Sequence, residues 1–486
     1  MARLSLSRRL EEALRSGAAR TLAEDCGGAW RITGGQLLAH ARSIGDCLSN
    51  LGSHETCVFY VDKGPLYYAL LAYSFLNSKD FCPVDRVTPV LRVAEIAKAL
   101  PTSLILTDSR ERAEELGALA PQLTVCHLTL EGVIEATNEA ATEQISPRRA
   151  SYYIATSGST GTPKLVRVPH DHTIPFVDWA IKFYQIDAST RWAQFSSIGF
   201  DLSLVDFLST LCGGGSLVSV SSRMDRLRPA NAVLRGKITH WHSVPSMIPY
   251  FLNDISSGNS AGTCRLFTFC GEPLSIADAR GLASRYPESR IINTYGPTEG
   301  TLFCSFFEFE IDNPATAGWH AVPIGVPIPG WNFVLLGGNI HKRLILISDN
   351  IADGYEGIAS DRFAVVNLFE TQTRAFDTGD YFCERDGQLF FSHRLDTMVK
   401  IFGNRVDLGE IESIARDAGF QNAIAVLVGT SILLLAEGTP LEVESRISSM
   451  AKRLPVHCVP REVKFVEEMP RTANGKIDRL ALIARQ

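Results

Sequence analysis

The stretch Thr156-Ser157-Gly158-Ser159-Thr160-Gly161-Thr162-Pro163-Lys164 directly succeeds the apolar run Tyr152-Tyr153-Ile154-Ala155. The run reads as a short buried strand. The stretch itself is a loop of hydroxyls and glycines closed by a lysine. Glycines let backbone N–H groups approach phosphate oxygens closely, hydroxyls add donors, and the lysine supplies a point charge. The order of residues does not fit G-x-x-x-x-G-K-[ST], which disfavours the common P-loop fold. A plain Ser/Gly-rich surface turn would need neither the leading strand nor the terminal Pro-Lys.

Outward from this loop, the chain alternates helical patterns with short β-branched or aromatic runs up to about residue 390. Val58–Val61, Leu104–Thr107, Leu217–Val220 and Arg290–Asn293 read as strands, and Leu91–Ala99 as a helix. The alternation predicts a mixed α/β fold with buried sheets. The last ninety-odd residues read as a smaller α+β unit, with patterns at Ile411–Ala415, Ala423–Val428 and Ile432–Ala436. The expected division is a large lobe over residues 1–393 and a small mobile lobe over 394–486.

At 486 residues, with 45% hydrophobic and 21% charged residues, the chain can build a sizeable core. The net charge of −6 leaves no basic footprint for nucleic acid. The longest apolar runs, such as Leu66–Tyr73, are too short to span a membrane. Arg8, Arg9, Glu11, Glu12 and Arg15 among leucines read as an amphipathic helix and not as a signal peptide. The eleven cysteines include no C-x-x-C pair. Reduced, mostly buried thiols in a cytoplasmic protein are therefore expected.

Three further segments carry chemistry. Asn293-Thr294-Tyr295-Gly296-Pro297-Thr298-Glu299-Gly300 ends a strand in a turn that presents a ring, a hydroxyl and a carboxylate. The ring can stack on a base and the carboxylate can hold a hard cation, although an ordinary turn with a core tyrosine reads almost as well. In Phe376-Asp377-Thr378-Gly379-Asp380, an aspartate past a glycine turn can accept both ribose hydroxyls or simply close the turn. Pro470-Arg471-Thr472-Ala473-Asn474-Gly475-Lys476 reads as a turn carrying a lysine.

In order and spacing these segments resemble the adenylate-forming superfamily, which comprises acyl-CoA synthetases, luciferases and nonribosomal peptide adenylation domains. The most specific match is Arg394-Leu395-Asp396-Thr397-Met398-Val399-Lys400-Ile401-Phe402-Gly403-Asn404-Arg405-Val406-Asp407-Leu408-Gly409-Glu410-Ile411-Glu412. It resembles the hinge and adjoining motif of amino-acid adenylation domains. The resemblance implies ATP and Mg²⁺, with no tightly bound prosthetic group. It implies that Thr156, Ser157, Gly158, Ser159, Thr160, Gly161 and Lys164 hold the phosphates. Gly271, Glu272, Asn293, Thr294, Tyr295, Gly296, Asp380 and Arg394 would hold the rest of the nucleotide. Thr298, Glu299 and Lys476 would be catalytic, Glu299 and Thr160 would serve the metal, and Asp396 would be the hinge.

Within that superfamily, Asp201 in Gly199-Phe200-Asp201-Leu202-Ser203 separates the branches. A carboxylate inside an acyl pocket costs desolvation unless a cation meets it, and an amino acid brings one. The competing reading is a cap on the next helix. Carried over, the pocket would comprise Asp201, Leu202, Val205, His242, Thr268, Cys270, Thr294, Leu302 and Phe303, suiting a small or medium side chain. The expected activity is adenylation of an amino acid. Transfer to the phosphopantetheine arm of a separate carrier protein would come next, since no carrier motif stands in the chain. A monomer or weak homodimer without nucleic-acid or membrane partners is expected. The alternatives are an acyl- or aryl-CoA ligase, and a silent nucleotide-binding relative. Three departures from the family pattern stand out: Leu165 after the loop lysine, His393 before the hinge arginine, and the run Arg343–Ser348 in place of a glycine-rich motif.

Overall fold

The structure is a computed structural model. It describes residues 5–49, 56–101, 103–136, 149–156, 163–254, 263–316, 318–338, 340–368, 371–394, 397–438, 440, 442–466 and 469–470. The fold is mixed α/β, as expected. Among the described residues a nine-stranded sheet runs parallel through six strands, from Arg290–Tyr295 to Thr21–Asp25. An eight-stranded sheet is parallel from Ser151–Thr156 to Thr124–Thr129. Helices cover these sheets, so their strands read as continuous apolar runs. Thr56–Tyr60 and Leu266–Phe269 are buried at every position.

The helix Pro65–Leu76 is apolar on all sides, and ten of its residues are buried between the sheets. Pro65 opens it, where the missing N–H costs nothing. The amphipathic first helix is Leu6–Ser16, buried at Leu6, Leu10 and Leu14.

The strand Ser151–Thr156 pairs antiparallel with Lys164–Pro169, bringing Thr156 opposite Lys164 across the loop. Leu165 has a physical reason here. It is 1% exposed and packs in a core with Val58, Cys82, Ile105 and Tyr153. A glycine at that position would leave the second strand without its inward side chain.

The α/β alternation does not continue to residue 390. Asn332–Leu336, His341–Ile347, Phe363–Leu368, Thr371–Arg385 and Gln388–Arg394 form an antiparallel five-stranded sheet, with no helix among the described residues between them. The divergent run Arg343–Ser348 falls, up to Ile347, in the inner strand His341–Ile347. Antiparallel strands need only short turns, so no crossover helix is required.

Beyond residue 396 come the hairpin Met398–Ile401/Asn404–Asp407 and the helix Leu408–Asp417. A three-stranded sheet of Gln421–Val428, Ser431–Glu437 and Glu462–Val466 completes this region. Ile401, Ile411, Ile414, Leu434 and Met450 form a core of their own. Asp407 caps the helix, accepting from the Gly409 N–H at 2.9 Å.

All eleven cysteines are free, eight of them buried. No helix among the described residues is long and apolar enough to cross a membrane. Nor does any group of three or more His, Cys, Asp or Glu among them form a metal cluster.

Candidate active site

Parallel sheets gather ligand sites at the carboxyl ends of their strands. A cavity of about 340 Å³ opens where Leu266–Phe269 and Arg290–Tyr295 end, lined in part by Gly271, Asn293, Tyr295, Asp380, Arg394 and Lys400. Asp380 comes from the antiparallel sheet. Its carboxylate accepts from the Tyr295 hydroxyl at 2.6 Å and from the Arg394 guanidinium. Arg394 also donates to the Thr378 carbonyl at 3.2 Å. The Tyr295 ring lies edge-on to Phe382 and flanks the cavity. Asn293 donates to the Val322 and Pro323 carbonyls, and its own amide oxygen is buried without a partner. Thr294 donates to Phe269 O at 2.9 Å. His393 lines the same cavity and stacks on Tyr381 with ring centres 4.8 Å apart.

Glu299 is fully buried, and both its oxygens are taken. Arg405 donates to them at 2.9 and 2.8 Å, and the Tyr355 hydroxyl donates at 2.7 Å. Burial alone would raise this carboxyl. The Arg405 charge and the Tyr355 bond outweigh it and hold the group below its ordinary value. Glu272 borders the same cavity as Tyr295 and Asp380. Its carboxylate accepts from the Ser246 N–H at 3.0 Å and the Gly403 N–H at 2.8 Å, tying the hairpin to the large sheet. Gly403 has φ +79°, and a Cβ there would meet Val244 at 2.3 Å, so only glycine fits. A third tether is the buried ion pair between Arg92 and Glu410.

Asp201 stands at the start of the helix Leu202–Cys212, but its side chain makes no cap bond. The cap reading is therefore wrong. The residue has right-handed helical backbone angles, unlike the extended backbone from which a cap side chain usually reaches the N–H groups of the first turn. It is 5% exposed, one carboxylate oxygen has no partner, and the Thr298 hydroxyl bonds to the group. Burial pushes its carboxyl up to about 7. An ionised carboxylate with a buried, unpartnered oxygen carries a desolvation cost that a nearby cation would offset.

Of the residues expected to wall its pocket, Val205, Cys270, Leu302 and Phe303 are buried, and Leu202 is half-buried. Thr301 and Leu302 both have positive φ, a strained pair that presents this wall. The wall lies close to Gly296, where a Cβ would meet Phe303 Cα at 2.4 Å. Thr268 donates to Trp241 O at 3.4 Å. His242 is held by Asp206 at 3.0 Å, which fixes its Nδ1 as the donor, and its Nε2 is buried without a partner.

A second cavity, of about 280 Å³, lies between Thr156, Phe200 and Thr298 on one side and Arg405, Glu410 and His457 on the other. Thr156 donates to the Lys164 carbonyl at 3.2 Å, and the Lys164 ammonium lies 5.6 Å from the Tyr355 ring centre. Ser157, Gly158, Ser159, Thr160, Gly161, Asp396 and Lys476 lie outside the described residues. Sequence reasoning missed Lys400, Arg405 and Tyr355. The first two stand inside the hinge motif, where the pattern was read only as a pivot; Tyr355 carries no local signal.

The family described as AMP-binding enzyme matches residues 10–341. A D-alanine–D-alanyl carrier protein ligase of Staphylococcus haemolyticus is 27% identical over 464 residues, covering 92% of this chain and 93% of that protein. The enzyme of the same description from Bacillus licheniformis is 29% identical, covering 85% and 86%. The Vibrio cholerae adenylation domain AlmE, solved with glycyl-adenosine-5′-phosphate, aligns with a TM-score of 0.81 at 20% identity. That alignment covers 100% of this chain and 99% of AlmE. Holo-PA1221, a protein with adenylation and carrier domains, aligns at 0.80 and 22% identity, over 99% of this chain and 84% of PA1221.

Proposed function

This chain belongs to the AMP-binding enzyme family, and from that premise we propose that it is an ATP-dependent amino acid–carrier protein ligase. It adenylates a small amino acid and passes it to the phosphopantetheine thiol of a separate carrier. The observation that carries the reading is Asp201, a buried carboxylate with an oxygen left unpartnered. An amino acid's ammonium meets that charge, whereas a fatty or aryl acid would leave it unpaired. The likeness to D-alanine–D-alanyl carrier protein ligases, over 92% and 85% of this chain, supports the same branch. D-alanine and glycine are the first substrates to try.

In the first half-reaction a substrate carboxylate oxygen attacks the α-phosphorus of ATP. The new bond is C(O)–O–P; the bond to the β-phosphate bridge breaks, and pyrophosphate leaves with the electron pair. Asp380 accepts the ribose hydroxyls, with Arg394 and Tyr295 holding its carboxylate in place. Asp201 anchors the ammonium and Thr298 faces the α-phosphate. In the second half-reaction the carrier's sulfur attacks the acyl carbon, the C–O bond breaks and AMP leaves. The cavity between Thr156 and Arg405 is the route proposed for the pantetheine arm.

The small lobe, pivoting at Asp396, alternates between these tasks. In the arrangement described here Glu299 does not fit a divalent cation, because Arg405 and Tyr355 occupy both its oxygens. We therefore assign this arrangement to transfer. Arg405→Gln is expected to lower carrier loading about 30-fold while changing pyrophosphate exchange less than about 3-fold, since it unpairs a buried carboxylate only in this state. Single-turnover loading measured against exchange checks it. Asp380→Ala is expected to raise KM for ATP roughly 100-fold and to lower Tm, because Arg394 is left buried with its carboxylate partner gone.

The overall test is ATP–pyrophosphate exchange across α- and β-amino acids of both hands, then carrier loading. Exchange with a non-amino acid and transfer to free CoA would overturn the reading.

A further inference from the structure

The loop that delivers Asp201 is anchored by a residue that follows the strand Thr56–Tyr60 of the other large sheet. The Lys63 ammonium donates to three consecutive carbonyls, those of Gln194, Phe195 and Ser196, at 3.1, 3.2 and 2.5 Å. Successive carbonyls of a straight strand point to alternate sides. These three converge only because the chain curls as the strand Arg191–Gln194 ends. A cation at the focus of the curl satisfies all three oxygens at once.

From there the chain is fastened step by step to Asp201. The Ser197 hydroxyl donates to Asp85, and the Gly199 N–H donates to Ser197 Oγ at 3.2 Å. Phe200 N–H donates to Ser197 O at 3.2 Å, and Ser203 N–H to Phe200 O at 3.0 Å. Asp201 makes no cap bond to its own helix, and the anchored curl acts together with the Thr298 hydroxyl in fixing where its carboxylate stands.

Burial, and then the Arg226 guanidinium, pull the Lys63 amine down to about 7. The lysine also borders a cavity lined by Asp85, Arg86, Ser197 and Arg226. The neighbouring helix has independent ties to the same region. Tyr68 donates to the Gln194 side chain, and Tyr67 lies 3.2 Å from Ser203 Oγ. The fold therefore has other fasteners here, and the lysine acts specifically on the curl.

We propose that Lys63 is a positioning residue for amino-acid binding, holding the 194–200 curl so that Asp201 meets the substrate ammonium. The proposal rests on the amino-acid reading above. The test is pyrophosphate exchange by the full-length protein, wild type first, then Lys63→Met and Lys63→Arg, with Tm for each. Lys63→Met is expected to raise KM for the amino acid about 10-fold or more, in line with charge-assisted hydrogen bonds lost. KM for ATP should stay within about 2-fold, and Lys63→Arg should recover most of the loss, because a cationic donor is restored. An unchanged amino-acid KM, or equal rises for both substrates, would overturn the proposal. If Lys63→Met does not fold, Lys63→Gln is read in the same way; two unfolded variants would show a structural role only. A wild-type protein silent with every amino acid would overturn the activity itself, and this proposal with it.

Discussion

Asp201→Asn is expected to cost amino-acid activation at least about 2 kcal/mol in kcat/KM, roughly 30-fold, because the substrate ammonium is left in a buried site without its counter-charge. KM for ATP should hardly move. The carboxyl, raised to about 7 by burial, also sets a pH dependence. Only the ionised form pairs with the ammonium, so amino-acid affinity should improve as pH rises through about 7 and then level off. The sign for stability is the opposite. A carboxyl raised from 3.8 in the folded state favours the fold at low pH, and that contribution is lost as pH rises through about 7. Without substrate, Asp201→Asn should therefore have the higher Tm at pH 8, with the gap narrowing towards pH 5. Exchange kinetics and thermal melts from pH 5 to 8 decide the matter. Flat wild-type profiles and an unchanged amino-acid KM would make the aspartate structural.

Lys476→Ala is expected to lower pyrophosphate exchange by about 1,000-fold or more, since it removes a fixed positive charge where charge builds on the attacked phosphate. Folding and ATP binding should remain close to wild type, as measured by melting and calorimetry. Lys476 is singled out by the segment Asn474-Gly475-Lys476 and its resemblance to the superfamily. Near-normal exchange would sink the catalytic assignment. The two variants fail differently: Asp201→Asn loses one substrate's affinity, whereas Lys476→Ala loses the chemical step with both substrates bound. Measuring both in the same assay separates recognition from catalysis.

The buried parallel strands were legible in the chain because each is a short apolar run closed by turn residues. The strands predicted at Val58–Val61 and Leu104–Thr107 lie within one or two residues of Thr56–Tyr60 and Ser103–Thr107. The antiparallel sheet was not legible. Its long strand Thr371–Arg385 mixes charged and small residues with a register shift, and no helical stretch separates it from its neighbours. In the site, Tyr295, Asp380 and Arg394 were legible because each stands in a recognisable turn or motif. Their mutual bonds were not.

Taken alone, the amino-acid sequence picked out, by local pattern and family resemblance, the charged residues expected at a nucleotide and Asp201 as the residue expected to meet an amino-acid substrate. These are properties of local pattern: a glycine loop, a turn aspartate, a carboxylate beside an apolar helix. Tertiary structure decided which of the carboxylates are free. Glu299 is taken by Arg405, 106 residues away, and Glu272 by Gly403, 131 residues away. Asp201 alone of these three keeps an oxygen without a partner. Pairing and burial are relations between segments far apart in the chain, and only the folded packing brings them together.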